Sequence, residues 1–233
     1  MALRSILTQS ATDAPQAERA GAADVVMLDL QSGPTATVAE LLRHADRQRR
    51  GAQIWLRTHP LDDARLADEL ASLCPFAPDA IVLPRAESAA DVEHLGALLA
   101  VREAEAGLPD GSLGIVALVE TAGALFEMHR IARASARLIA LGWDGEALAA
   151  DLGAEEDRDI GGRWIDPLQT ARTLALAACA DAKLPAIDSR FTGADAASFR
   201  EEAARAARDG FAGKFAVTTE QARIAGEVFA ARG

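Results

Sequence analysis

The feature that most constrains this chain is a regular alternation of short apolar runs with longer segments of helical periodicity. Eight runs have the composition of strands, and Gly, Pro or Asp separates the successive units. In chain order they are RSILTQ from Arg4, DVVMLDL from Asp24, QIWLRTH from Gln53, DAIVLPR from Asp79, LGIVALVET from Leu113, RLIALGW from Arg137, LPAIDSRF from Leu184 and GKFAVT from Gly213. Nearly continuous apolar strands are typical of a parallel sheet buried on both faces.

The segments between these runs have apolar residues three and four positions apart, which predicts crossover helices. They include TVAELLRHADRQ, LADELASLC, AADVEHLGALLAVREAEA, LFEMHRIARAS, PLQTARTLALAACADA and ASFREEAARAARDG. Repeated strand-helix units of this kind predict an α/β fold, a (β/α)8 TIM barrel, in a single domain over residues 1–233. A doubly wound open sheet is the alternative, but the first strand-to-helix turn lacks the glycine fingerprint of nucleotide-binding versions.

The acidic balance of the chain limits its partners. The net charge is −11 at pH 7 and the isoelectric point is about 4.8, so nucleic acid and anionic membranes would be repelled. The N-terminal residues MALRSILTQSATD do not have the pattern of a signal peptide, and we expect a cytoplasmic protein. The expected partner is a small substrate or another protein. Cys74 and Cys179 have apolar neighbours and are interpreted as buried hydrophobic residues.

In a (β/α)8 barrel the active site lies at the C-terminal ends of the strands. Polar residues end or follow most of the predicted strands: Thr8, Gln9, Asp29, Gln31, Arg57, His59, Arg85, Glu87, Glu120, Thr121, Asp144, Glu146, Asp188, Arg190, Thr218 and Thr219. Lys214 falls instead near the start of the eighth strand. Its position argues against a metal-free Schiff-base aldolase, which needs a desolvated lysine at the mouth.

Arg57 ends a strand that is otherwise apolar. Its guanidinium is suited to bind a carboxylate in bidentate fashion, and the alternative is an ion pair with a neighbouring acid at the rim. His59 follows at once, and Pro60 keeps it extended. For His59, a role in substrate binding or acid-base chemistry and a role in capping a loop are both open.

Glu120 is the strongest single candidate for a functional residue. It closes the run GIVALVE, whose alternation places Val116, Leu118 and Glu120 on one face, above an apolar layer. Such a carboxylate either binds a cation or has a raised pKa because of its apolar surroundings, and the alternative is a cap for the next helix. Magnesium is held by one or two carboxylates with waters and substrate oxygens, so a carboxylate just past the sixth strand could share the ion.

Several motifs occur together in one order: DVVMLDL, QIWLRTH, VLPRAES, VETAGAL, AADLGA, LPAID and GFAGK. In these the chain resembles the CitE-like group of the HpcH/HpaI aldolase and citrate lyase β-subunit superfamily, from Arg4 to Phe229. The resemblance implies a barrel of the phosphoenolpyruvate/pyruvate-domain type, usually a homotrimer, that makes or cleaves a carbon-carbon bond in a β-hydroxyacyl-CoA or 2-oxo acid adduct with magnesium. It also implies that Arg57 binds the substrate carboxylate and that Glu120 binds the ion.

The second metal position departs from the family pattern. Aligning LIALGWDGEALAADLG with the family's G-x-E-D-L-A-A-D-L-G places Ala147 where the second magnesium ligand, an aspartate, belongs. Asp144 and Glu146 are near enough to replace it after a small shift of the loop. Asp144 is the better placed of the two to face the mouth, because it lies on the same face of the strand as the small residues Ala140 and Gly142. Asp151 is interpreted as a solvated or capping acid.

Other departures concern the mouth and the thioester. DLQSG replaces the family's D-L-E-D-A, His59 replaces an asparagine, and VTT replaces I-H-P. The basic residue of the first strand is present as Arg4, but TQSATDAP replaces a longer loop and Ala17 replaces the usual lysine. These changes weaken the case for coenzyme A and favour a free organic acid or an altered acyl carrier. Two functions remain open: a magnesium-assisted lyase or aldolase, and a catalytically degenerate homologue that binds carboxylates or other proteins.

Overall fold

A computed structural model describes residues 3–10, 23–45, 51–193 and 195–231 of the chain. Eight parallel strands pair in chain order, and the first closes on the last. They are β1 Ser5–Ser10, β2 Val25–Asp29, β3 Gln53–Arg57, β4 Ala80–Leu83, β5 Gly114–Val119, β6 Leu138–Trp143, β7 Ala186–Asp188 and β8 Gly213–Ala216. The predicted barrel is confirmed, and the open-sheet alternative is wrong because the sheet has no edge strand.

Helices cover the outside of the strands. They are α1 Thr35–Ala45, α2 Leu66–Leu73, α3 Ala89–Ala106, α4 Ala122–Ile131, α5 Gly145–Leu152, α6 Asp166–Ala182, α7 Ala196–Asp209 and α8 Thr219–Ala230. The six quoted helical segments correspond to α1 to α4, α6 and α7. Residues 11–22, which contain Ala17 and most of TQSATDAP, lie outside the described part of the chain. None of the helices described is long and apolar enough to cross a membrane.

The interior of the barrel is filled by side chains. The inward-facing cluster contains Ile6, Val25, Met27, Trp55, Ala80, Val82, Val116, Leu118, Ala140, Ile187 and Phe215. Gly142 permits the closest of these contacts, since a Cβ atom there would lie 2.7 Å from Cε2 of Phe215. Phe215 therefore reaches the middle of the barrel, where it forms part of the floor of the mouth.

Ion pairs fix the N-terminal end of the barrel, which is the end opposite the mouth. Glu103 of α3 is fully buried and accepts 2.8 Å hydrogen bonds from both terminal nitrogens of Arg137. Burial raises the pKa of Glu103, but Arg137 and two backbone N–H groups outweigh burial and hold the pKa at about 2. Arg4, which precedes β1, pairs with Asp24 at 2.7 Å. Contacts at this end of a barrel serve stability.

Lys214 is fully buried between the strands and the helices. Its Nζ atom lies 3.2 Å from Asp188 Oδ2 and 2.8 Å from Glu202 Oε1. Arg172 also contacts Asp188, at 3.2 Å. The prediction that Asp188 faces the mouth is wrong, because Ile187 takes the inward position of β7 and Asp188 points to the helices.

The two cysteines are buried, as the sequence predicted. Burial raises the pKa of Cys74 to about 11 and that of Cys179 to about 12. Neither thiol is ionised near neutral pH, so neither is a reactive nucleophile.

Candidate active site at the barrel mouth

Charged side chains surround a small cavity at the C-terminal ends of the strands. The cavity has a volume of about 30 Å³ and is lined by Thr8, Met27, Asp29, Arg57, Leu118, Trp143, Asp144, Arg190 and Phe215. Met27, Leu118 and Phe215 belong to the apolar interior cluster and form its floor. A second hollow of about 330 Å³ is lined by residues 7–10 and 217–219, and it shares Thr8 with the first.

Arg57 lies between two carboxylates. Its Nη1 atom is 2.9 Å from Asp29 Oδ2, and its Nη2 atom is 2.7 Å from Glu120 Oε1. The strand register explains the first contact, since Arg57 and Asp29 are paired at the ends of β3 and β2. Burial lowers the pKa of Arg57, but the two carboxylates raise it by more than burial lowers it. The guanidinium therefore stays charged. Its Nε atom is buried without a protein partner and is a donor available to a ligand.

Glu120 is buried at the mouth, with 5% of its surface exposed. Its pKa is raised above the ordinary value of 4.5, first by burial and also by the negative charge of Asp144, although Arg57 and the Arg85 N–H act in the opposite direction. Because the guanidinium of Arg57 is shared between Glu120 and Asp29, it does not fully neutralise the buried charge of Glu120. A carboxylate in this state attracts a cation or holds a proton.

The turn after β4 holds the other oxygen of Glu120. The Arg85 N–H donates to Glu120 Oε2 at 2.8 Å. Arg85 has a φ of 49°, in the left-handed region that side chains disfavour, and such strain typically costs about 1–3 kcal/mol. The next N–H, of Ala86, donates to Leu118 O at 3.1 Å and ties the turn to β5. The strained backbone of Arg85 thus orients the carboxylate.

The helix-cap alternative for Glu120 is not observed. The first N–H of α4, from Ala122, donates instead to Asp151 Oδ2 at 2.7 Å. Asp151 is exposed and caps this neighbouring helix, in agreement with its interpretation as a solvated or capping acid.

Asp144 caps α5 and also faces the cavity. Its Oδ1 atom accepts from the N–H groups of Glu146 at 3.1 Å and Ala147 at 3.2 Å. Its Oδ2 atom lies 3.2 Å from Arg190 Nη2, which is also 3.0 Å from Glu146 Oε2. Asp144 thus has the inward phase that the sequence indicated, and an arginine contacts its outer oxygen.

Sequence reasoning placed Arg190 and Asp29 at the mouth but gave neither a role. In the structure Arg190 bridges two acids, and its Nε atom is buried without a protein partner, as in Arg57. For Arg190 the signal was a basic residue just past the end of β7, much as Arg57 is a basic residue at the end of β3.

His59 is buried and turned towards α2. The Nδ1 atom of its ring contacts Glu69 Oε1, and its backbone N–H donates to Glu69 Oε2 at 3.0 Å. It is not among the residues that line the cavity. Arg57 and Asp144 line the cavity and Glu120 contacts Arg57, whereas His59 lies outside this group.

The acids of the mouth fit a magnesium ion held by few protein ligands. In the part of the chain that the structure describes, no three or more His, Cys, Asp or Glu residues are grouped to hold a metal. Glu120 and Asp144 are carboxylates whose like charges act on one another. Magnesium commonly takes one or two carboxylates and completes its shell with waters and substrate oxygens. The donor set is therefore chemically suitable for that ion.

A family model described as HpcH/HpaI aldolase/citrate lyase matches residues 7–219. The chain belongs to this family. Among its relatives, an L-malyl-CoA/beta-methylmalyl-CoA lyase of Cereibacter sphaeroides is 28% identical over 235 residues, which cover 90% of this chain and 73% of the relative. A citrate lyase subunit beta-like protein of Mycobacterium tuberculosis is 33% identical over 208 residues, which cover 84% of this chain and 67% of the relative.

Two solved structures share the fold of this chain. The citrate lyase beta subunit from M. tuberculosis, complexed with oxaloacetate and magnesium, has a TM-score of 0.79 and 26% identity, and covers 98% of this chain and 97% of its own. RipC from Yersinia pestis has a TM-score of 0.76 and 28% identity, with coverage of 97% and 94%. The resemblance inferred from the order of the motifs is confirmed.

Proposed function

We propose that this protein is a magnesium-dependent carbon-carbon lyase or aldolase that acts on a small carboxylate, either a 2-oxo acid or a β-hydroxyacyl adduct. The observation that carries the proposal is the contact between Arg57 and the buried carboxylate of Glu120, at the mouth of an HpcH/HpaI barrel. The lyase activity named for the C. sphaeroides relative supports the reaction class.

In this proposal Arg57 binds the carboxylate of the substrate. Asp29 anchors one side of its guanidinium, and the unpartnered Nε atom provides a donor on another side. A planar guanidinium binds a carboxylate through two parallel hydrogen bonds, which fixes the orientation of the substrate as well as its position.

Glu120 and Asp144 would hold the ion through carboxylate oxygens. When bound, a divalent ion supplies Lewis-acid polarisation of a substrate carbonyl. Leu118 and Phe215 keep water out from below, and this low-dielectric floor strengthens the pull of Arg57 on developing negative charge. Trp143 lines the cavity beside them.

The second candidate function is a catalytically degenerate homologue that binds a carboxylate or another protein without cleaving a bond. The observation that favours it is that both oxygens of Asp144 already have protein partners. The alignment of motifs that places Ala147 at the family's second ligand points the same way. Such a protein would bind carboxylates through Arg57 without a divalent ion.

Neither candidate requires coenzyme A. Arg4, the basic residue matched to the family's phosphate contact, pairs with Asp24 at the end of the barrel opposite the mouth. Assembly into a homo-oligomer such as a trimer and a cytoplasmic location stay predictions, which size-exclusion chromatography and fractionation would test.

Calorimetric titration with Mg²⁺, with and without pyruvate, separates the two candidates. The variants are Glu120→Gln and the control Glu87→Gln, an exposed acid just after β4. The lyase proposal expects Mg²⁺ binding that requires Glu120 and tightens with pyruvate, followed by carbon-carbon cleavage in a substrate screen. Pyruvate binding without any metal dependence would favour the degenerate homologue, and binding of neither would contradict both.

A further inference from the structure

We infer that the guanidinium of Arg190 occupies the place of a cation beside Asp144, so that a divalent ion binds there only when Arg190 withdraws. The inference rests on the proposed function for its choice of magnesium as the ion. The claim that Arg190 occupies a cation position beside Asp144 depends only on the contacts of Arg190.

The first support is the shared position of Arg190 Nη2. This one atom lies 3.2 Å from Asp144 Oδ2 and 3.0 Å from Glu146 Oε2. The other oxygen of Asp144 is engaged by the helix N–H groups of Glu146 and Ala147. Oδ2 is therefore the oxygen that an ion would take, and magnesium needs it at about 2.0–2.1 Å. An ion and the guanidinium compete for the same carboxylate.

The second support is the size of the cavity. Its volume of about 30 Å³ has space for two or three waters at most, since one water requires roughly 10–15 Å³. A 2-oxo acid is several times larger than a water molecule. Because Arg190 lines the cavity, its withdrawal is the movement that would enlarge it next to Asp144.

The third support is that the observed position of Arg190 is incompletely satisfied. Its Nε atom is buried without a protein partner, and a buried donor without a hydrogen bond is destabilising. The side chain is 38% exposed, so the guanidinium has a path to solvent. Both arginines contact two carboxylates, but the side chain of Arg57 is only 17% exposed, so displacing Arg190 costs less than displacing Arg57.

The test is calorimetric titration of Mg²⁺ into Arg190→Met, which keeps the apolar stem and removes the charge. Arg190→Lys keeps the charge. Arg223→Met is a matched control, because Arg223 also bridges two acids, Glu220 and Glu227, but on the exposed face of α8. Thermal unfolding checks each variant, and Arg190→Gln replaces the Met variant if that does not fold.

We expect Arg190→Met to bind Mg²⁺ about tenfold more tightly than the wild type, within the range typical of coupling between ligands. Arg190→Lys and Arg223→Met should stay close to the wild type. Equal or weaker binding by a folded Arg190→Met would overturn the inference.

The same titrations separate this inference from the proposed function. If the wild type binds no Mg²⁺ but Arg190→Met does, the proposed metal dependence fails and the inference stands. If the wild type binds Mg²⁺ through Glu120 and Arg190→Met binds it no better, the inference fails and the proposed function stands. Binding by neither protein contradicts both.

Discussion

Arg57 and Arg190 face one another across the mouth of the barrel. They lie at the end of β3 and just past β7, four strands apart in a closed ring of eight, and both line one cavity. Each guanidinium contacts two carboxylates, Asp29 and Glu120 in one case and Asp144 and Glu146 in the other. The acids in these contacts outnumber the arginines, so the local charge is negative and attracts cations.

Cation binding at Glu120 should weaken as the pH falls. Burial, reinforced by the charge of Asp144, raises the pKa of Glu120 above 4.5, and a protonated carboxylate is a poor ligand. Mg²⁺ affinity should therefore begin to fall while the pH is still above 4.5. Titrations at a series of pH values between 7 and 4.5 measure this, with Glu87→Gln, an exposed acid outside the cavity, as the control that should keep the dependence. An affinity that stays constant down to pH 4.5 would contradict the assignment.

Arg57→Lys should weaken pyruvate binding. Lysine keeps the charge but loses the paired hydrogen bonds, and a hydrogen bond to a charged group contributes about 1.5–3 kcal/mol, or roughly tenfold to hundredfold in affinity. Arg4→Lys is the matched control, since Arg4 also pairs with an aspartate but at the opposite end of the barrel. Equal losses in the two variants would show that the effect is not specific to the mouth.

Glu103→Gln should destabilise the fold in a pH-dependent way. The pKa of Glu103 is about 2 in the folded protein against an ordinary 4.5, so its ionised form stabilises the protein fully above pH 4.5 and progressively less as the pH falls to about 2. At neutral pH we expect a loss of about 2–3 kcal/mol, as for hydrogen bonds to a charged group. Urea unfolding at several pH values measures it, and a difference that does not shrink in acid would refute the explanation.

Lys214 should form no covalent adduct with pyruvate under borohydride, because it is buried between Asp188 and Glu202 and away from the mouth. Lys214→Met should lower the free energy of unfolding by about 3–5 kcal/mol, since it leaves buried carboxylates without their partner. Mass spectrometry and urea unfolding provide the two measurements. A trapped adduct at Lys214 would revive the metal-free aldolase.

His59→Ala should reduce stability and leave pyruvate affinity within about twofold, because the ring contacts Glu69 and not the cavity. Loss of one partner of a buried polar group costs about 1–3 kcal/mol. In a chain of this size Tm falls by roughly 2–4 °C per kcal/mol. Unchanged Tm with a clear loss of affinity would instead support the substrate-binding role considered from the sequence.

The barrel could be predicted because each apolar run ends in clear polar or turn residues, so that strand ends and crossover helices were separable in the sequence. The alternation in β5 was long enough to give the inward phase of Val116, Leu118 and Glu120, and the first two do lie in the interior cluster. In β7, which has three residues, alternation is too short to fix a phase, and the prediction for Asp188 was wrong.

Partners at the mouth could not be predicted for a related reason. The contact of His59 with Glu69 depends on how α2 packs, ten residues further along the chain. The bridge from Arg190 to Asp144 depends on two loops separated by more than forty residues. Sequence patterns identify which side chains reach the rim, but loop geometry decides which of them pair.

The ion pairs at the N-terminal end of the barrel have a consequence for how such a protein changes over generations. Glu103 with Arg137 and Arg4 with Asp24 lie far from the mouth, so their contributions to stability should add independently to those of the active-site acids. A scaffold stabilised at one end therefore tolerates successive replacements at the other. Natural selection or protein engineering can therefore change the residues of the active site one at a time without unfolding the barrel.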